Sequence, residues 1–311
     1  MREPSLLVPY PGPDPSGTTF DSYVYLRPET NGVLTESVLM KTIRETPEWR
    51  EGARLVYMAN YPGDFIQTRH LVEHHYRLKL SFARHGGAAF TEGMRREFER
   101  KFGEKFDPER VLGSFEALGH LGIDEEELFG YRVGQEDMLV VLGQNVKRYG
   151  NLWVVNYDIP AILHKNAFDT DIAVMVFRIG LSWEDFRTMV GAMSAHLVEA
   201  GVIGKDTAPS RAFHHSKSPW EQLLDGIDFL WGADVSDGGV EDDISFGAYM
   251  MDRGVAREEL RETIKSPLVV HAGADGSESE ANLFELTAGM NYAAAASVLS
   301  RITRRLNIPS D

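Results

Sequence analysis

Runs of β-forming residues alternate along this chain with segments whose apolar residues recur at helical spacing, and that alternation confines it to layered mixtures of sheet and helix. Ser22-Tyr23-Val24-Tyr25-Leu26 is the first run and is halted by Pro28. Val33, Leu34, Val38, Leu39 and Ile43 then mark a helix, and Ala53 to Met58 a second strand. Asp64, after Tyr61-Pro62-Gly63, predicts the cap of one long helix through about Phe82. Met138 to Leu142, Leu152 to Tyr157 and Ile172 to Phe177 read as three further strands extending the same sheet. Ser182 heads a helix to about Ala200, and Pro219 stands in the first turn of another. Beyond these lie a helix from about Arg257, the strand Leu268 to His271, and an Ala-rich helix expected from Ala281 to Leu306. Both an α/β and an α+β sandwich satisfy this order.

With 311 residues the chain suffices for about two domains, or for one core with long insertions. Its punctuation suggests a Pro/Gly-rich leader over 1–19 and a core over 20–232. The charged helical stretch at about 88–130 reads as an insertion in that core, and 233–311 as a C-terminal extension.

Charge and composition then narrow the function classes. Lys plus Arg number 32 against 47 Asp plus Glu, a net charge of -15, which argues against nucleic acid or anionic lipid as the main partner. Arg95, Arg96, Arg100 and Lys101 alternate with Glu97 and Glu99, as solvated helix faces do. Cysteine is absent, which removes disulfides, thiolate metal sites and a cysteine nucleophile. No segment reaches the ~18 apolar residues of a membrane span, and the proline-broken leader is unlike a signal peptide, so a cytoplasmic protein is expected. There is no G-x-G-x-x-G, no P-loop and no G-x-S-x-G elbow.

Several short stretches carry a family resemblance. Leu26-Arg27-Pro28-Glu29-Thr30, between the first strand and first helix, resembles the strand-to-Lys-Pro-Asp turn that opens nucleoside diphosphate kinases, with Arg for Lys and Glu for Asp. His75-Tyr76 with Phe82 is similar to that family's His-Tyr segment. Ala173 to Val176, Asp185 to Gly191 and Ser210-Arg211-Ala212-Phe213-His214-His215-Ser216-Lys217-Ser218 resemble, in order, its closing strand, its Arg-containing helix and its Asn-Ala-Val-His-Gly-Ser-Asp-Ser run. Arg211, His215 and Lys217 depart from that run.

The resemblance implies an α+β fold with an antiparallel, ferredoxin-like sheet. It also implies that His214 carries a phosphoryl group between two nucleotides, with Mg2+ bridging the phosphates. Tyr76 and Phe82 would stack on the base, and Arg27, Arg187, Lys205 and Arg211 are the cations for the phosphates. The small ligand is then a nucleotide or another phosphorylated molecule. The bland reading of His214 and His215 is a polar surface loop.

A second motif competes. His70-Leu71-Val72-Glu73-His74 fits H-x-x-E-H, the signature of inverted zinc peptidases, in which two histidines on one helix face hold Zn2+ and the Glu activates water. Glu136, Asp158 and Asp171 are acids available as a third ligand. The same five residues also suit a solvated helix.

Weaker candidates are Asp169 with Asp171, a carboxylate pair before a strand, and the acidic stretch Asp234, Asp237, Glu241, Asp242 and Asp243, which lacks EF-hand spacing. Met250-Met251 and Ala293 to Ala296 suggest close packing and a homo-oligomer. Besides phosphoryl transfer and zinc hydrolysis, a noncatalytic binding or assembly module is the third reading.

Overall fold

The computed structural model describes residues 1–205, 207, 211–232, 240–273 and 275–309. In chain order its strands are β1 (Ser5–Val8), β2 (Phe20–Leu26), β3 (Ala53–Tyr61), β4 (Val111–Gly113), β5 (Met138–Val141), β6 (Gln144–Tyr149), β7 (Leu152–Val155), β8 (Ile172–Ile179), β9 (Phe213–His215), β10 (Leu268–Ala272), β11 (Glu278–Asn282) and β12 (Ile302–Arg305). The chain divides into two compact units. Met1–Leu71, Asn166–Ile264 and Thr287–Leu299 make the first, and Val72–Lys165, Lys265–Leu286 and Ser300–Asp311 the second.

The first unit is built on a five-stranded sheet in the order β1-β3-β8-β2-β9, antiparallel throughout. The helix Val33–Ile43 joins β2 to β3, and the helix Trp183–Glu199 leads from β8 toward β9. Every residue of β2 is buried, because both faces of the sheet are covered. On one face the helix Trp183–Glu199 stacks Trp183 on Phe20 at 4.3 Å and sets Phe186 edge-on to it at 5.4 Å. On the other, the helix Pro219–Phe229 packs against Tyr25 through Phe229, and Ser245 of the helix Ser245–Met251 bonds Asp21.

Beneath that second face lies a buried ion pair. Arg178 of β8 clasps the carboxylate of Asp21 on β2, with Nε 2.8 Å from one oxygen and Nη2 2.9 Å from the other. Tyr10 Oη and Ser245 Oγ each donate to Asp21 Oδ2 at 2.6 Å, and Arg178 also holds Gly12 O at 2.8 Å. The N-terminal segment is therefore tied to the sheet by hydrogen bonds, as a run rich in Pro and Gly needs in order to be held in one path.

In the second unit a four-stranded sheet, β4-β7-β6-β5, has β4 and β7 parallel and the other pairs antiparallel; a three-stranded antiparallel sheet has the order β11-β10-β12. Their apolar residues meet Phe82, Phe90, Met94 and Phe98 in one core around Trp153. Gly86 has no room for a side chain: at φ 52° a Cβ would sit 2.5 Å from both Val111 O and Gly113 N. Lys147 on β6 is 2% exposed and donates to the carbonyls of Leu128 and Tyr131 at the end of the helix Glu125–Gly130.

The mixed fold with antiparallel pairing agrees with the sequence, while several elements differ from it. The long helix expected over 64–82 is three: Gly63–Thr68, Leu71–His75 and Arg77–His85. Pro62 is the cap residue in place of Asp64, whose carboxylate binds Arg2 instead. Met138–Val141 and Leu152–Val155 do not extend the sheet of β8; they flank β6, a strand whose polar residues hide it, and Leu142-Gly143 turn with positive φ between β5 and β6. The expected terminal helix is broken into the end of β11, the helices Leu283–Leu286 and Tyr292–Leu299, and β12. Gly289 at φ 74° and the Asn291 side chain, which accepts from Ala294 N, interrupt it. The unit bounds likewise differ from the sequence punctuation. The charged segment 88–130 belongs to a larger body that begins at Val72, and the residues after 233 are shared between the two units.

Candidate functional site

Pleating decides what the adjacent histidines of β9 face. In the antiparallel register, Tyr25 lies opposite His214 and Val24 opposite His215. Successive side chains on a strand point to opposite faces. His215 therefore turns toward the helix Trp183–Glu199, where its ring lies 5.9 Å from Phe186. Burial first, and then the neighbouring His214 and Lys217, push its imidazole down to about 3. It is a neutral packing residue.

His214 turns to the opposite face and meets the helix Pro219–Phe229. Ser218 caps that helix by accepting from Glu221 N, and Pro219 occupies its first turn. One face is apolar through Trp220, Leu223, Leu224 and Phe229, yet Asp225 is fully buried among them. The next residue, Gly226, permits the close approach, since a Cβ there would lie 2.6 Å from Ile244 and 2.7 Å from Tyr23 Oη.

The buried carboxylate is the centre of a short relay. Asp225 Oδ2 lies 3.0 Å from His214 Nε2 and accepts the Ser216 hydroxyl at 2.6 Å. Ser216 Oγ in turn accepts the backbone N–H of Tyr23 at 3.0 Å, which fixes the hydroxyl as a donor toward the acid. With Asp225 ionised, His214 donates through Nε2–H, and in a neutral ring the lone pair then resides on Nδ1. The imidazole lies flat on Tyr25, with ring centroids 4.4 Å apart and planes 14° apart. The guanidinium carbon of Arg27 is 5.4 Å from the centroid of that same tyrosine ring. The site thus combines an oriented imidazole, a buried anion behind it and a cation nearby.

Of the residues singled out in the sequence, Arg27 and His214 are gathered around Tyr25. Arg187 is exposed on the helix Trp183–Glu199, one position after the buried Phe186. Lys205 and Arg211 are exposed in the segment that leads to β9, and Ser210 lies outside the described residues. Tyr76 and Phe82 belong to the second unit: Tyr76 packs edge-on against His75 at 5.0 Å, and Phe82 is completely buried against Phe90, which makes it a core residue. His70, at φ 52°, precedes the helix Leu71–His75 that holds Glu73 and His74. The continuous helical register that H-x-x-E-H relies on is therefore missing.

Asp171 is engaged by Gly63 N and Arg2. Glu241 is held by Arg261 and Asp242 by Arg257, while Asp234 and Asp237 lie outside the described residues.

Asp225 is marked in the sequence only as a carboxylate on the apolar side of a well-capped helix, eleven positions after His214, and Tyr25 only as a β-forming residue. No known protein family, curated protein or solved structure matches this chain. Among the described residues, no helix is long and apolar enough to cross a membrane.

Proposed function

We propose that this protein binds a nucleotide or similar phosphorylated ligand and transfers a phosphoryl group through His214, in the manner of a nucleoside diphosphate kinase. The observation that carries the reading is the 3.0 Å contact between His214 Nε2 and the buried Asp225 carboxylate. An imidazole held in this way is a nucleophile whose reactive nitrogen is already specified. A ferredoxin-like reading of the first sheet goes with it, supported by the two β-α-β halves whose strands interleave as β3-β8-β2-β9.

The step follows from the tautomer. The Nδ1 lone pair forms a nitrogen-phosphorus bond as the bond from phosphorus to the leaving oxygen breaks, and the electron pair departs with that oxygen. The ring becomes cationic while keeping its Nε2 proton, and Asp225 stabilises the charge where it develops. A second nucleotide then takes the phosphoryl group by the reverse displacement. Arg27, whose guanidinium lies against the Tyr25 ring, and Lys205 and Arg211, which precede β9, are the candidates for phosphate charge, whereas Arg187 belongs to the helix over the opposite face of the sheet, toward which His215 turns. Mg2+ enters with the nucleotide as part of the substrate.

The test is incubation with γ-labelled ATP and Mg2+. Acid-labile label on the wild-type chain, chased off by GDP and absent in His214→Asn, is the expected result. No label, or label that persists in His214→Asn, overturns the proposal.

A further inference from the structure

We infer that Tyr25 is a positioning residue for His214, its ring fixing the plane of the imidazole and the place of Arg27 against one aromatic surface. The inference rests on the phosphoryl-transfer reading for its purpose, although the geometry stands without it.

The hydrogen bond to Asp225 sets the direction of Nε2, and rotation about the line joining Nε2 to the carboxylate oxygen is limited by what lies against the faces of the ring. A parallel stack at 4.4 Å removes that freedom, because rocking would drive the ring edge into the tyrosine face. Tyr25 can serve as such a wall because it is itself held: it is 4% exposed, lies in the interior strand β2, and has Phe229 against it at 4.8 Å. Phe229 ends the same helix that carries Asp225. The wall and the acid are therefore set by a common pair of elements, β2 and that helix.

Arg27 adds the second half of the argument. Two residues beyond Tyr25, its guanidinium lies 5.4 Å from the tyrosine centroid, within the range of a cation-π contact. Its backbone N–H is pinned to Ala212 O, two residues before His214. The acceptor imidazole and a phosphate-seeking cation thus share one ring as their spacer. Positioning of this kind governs how often the nucleophile is aligned with phosphorus.

The experiment uses the full-length chain with ring-nitrogen-labelled histidine. In the wild type, a long-range proton-nitrogen correlation spectrum should give His214 as one Nε2–H tautomer, with its carbon-bound ring protons shifted upfield by the stacked tyrosine. Tyr25→Phe should keep both signatures. Tyr25→Met should abolish the upfield shift, leave the Nε2–H tautomer that Asp225 sets, and slow labelling by ATP and Mg2+ roughly 10- to 100-fold. His214 protons at unstacked positions in the wild type would overturn the inference without recourse to a variant. So would a Tyr25→Met protein with the wild-type labelling rate. If the wild type takes up no phosphate at all, the phosphoryl-transfer reading fails alone, and the spectra still decide the role of Tyr25.

Discussion

One oxygen of Asp225 accepts from both His214 Nε2, at 3.0 Å, and Ser216 Oγ, at 2.6 Å, so imidazole and hydroxyl are organised by a single buried anion. Asp225→Asn preserves the shape and removes the charge. With no anion to favour Nε2–H or to oppose the ring charge formed on phosphorylation, labelling of His214 should fall on the order of 100-fold or more, as when a triad acid is neutralised. Ser216→Ala leaves the acid in place and should cost far less. Rapid-quench measurement of phosphohistidine formation in both variants checks this, and equal rates for wild type and Asp225→Asn would refute the assigned role.

His215, on the other face of β9, should make itself felt in acid stability. Its folded value is about 3 against an ordinary 6.5, because burial disfavours the charged ring. The unfolded chain therefore binds a proton that the folded chain refuses throughout that window. Linkage makes the stability contribution complete above about pH 6.5 and progressively lost as the pH falls toward 3. Urea unfolding between pH 7 and 4 should give a shallower decline for His215→Phe than for wild type. An unchanged slope would show that other groups govern the acid limb.

Much of the first unit was legible because its signals are local. The β2 run, the Ser182 cap and Pro219 in a first turn each act within a few residues, and each is found where the sequence places it. His214 stands out in the sequence through a short motif. Asp225 does not, because a carboxylate in a helix ordinarily reads as surface, and only packing against β2 through Gly226 makes it a site residue. Tyr25 read simply as a β-former; its partner is set by the pairing of β2 with β9, which no local pattern encodes. The second unit was harder still. β6 carries Gln144, Asn145, Lys147 and Arg148, and long-range pairing overrides their weak strand propensity.

The Asp21–Arg178 pair should be the most sensitive electrostatic feature of the first unit. Asp21 is 1% and Arg178 12% exposed at the side chain. Asp21→Asn would leave the guanidinium without its counter-charge and weaken the anchoring of Tyr10 and Ser245. Removing one partner of a buried pair costs about 3 kcal/mol or more. Chemical denaturation should show that loss. Combining Asp21→Asn with Arg178→Met should recover part of it, since the double change no longer buries an uncompensated charge. Strictly additive losses would mean that the two charges act independently.

Lys147 offers a pH signature of the same sign, at the alkaline end, in the second unit. Its ammonium is 2.5 Å from Leu128 O and 2.8 Å from Tyr131 O, with the Tyr157 ring centroid 3.9 Å away. Burial pulls the amine down to about 8 from 10.5, partly opposed by the charge of Asp158. Between those values the unfolded chain keeps a proton that the folded chain has released, so stability should rise with pH through that window. Below pH 8 the desolvation cost is fully present, and the two carbonyl contacts offset it. Lys147→Met should flatten the alkaline rise. It should also deprive the C-terminal turn of the helix Glu125–Gly130 of its donor and speed amide exchange there. Exchange measured at neutral pH separates the two effects: an unchanged helix end would mean that the Lys147 contacts to Leu128 and Tyr131 do not hold it.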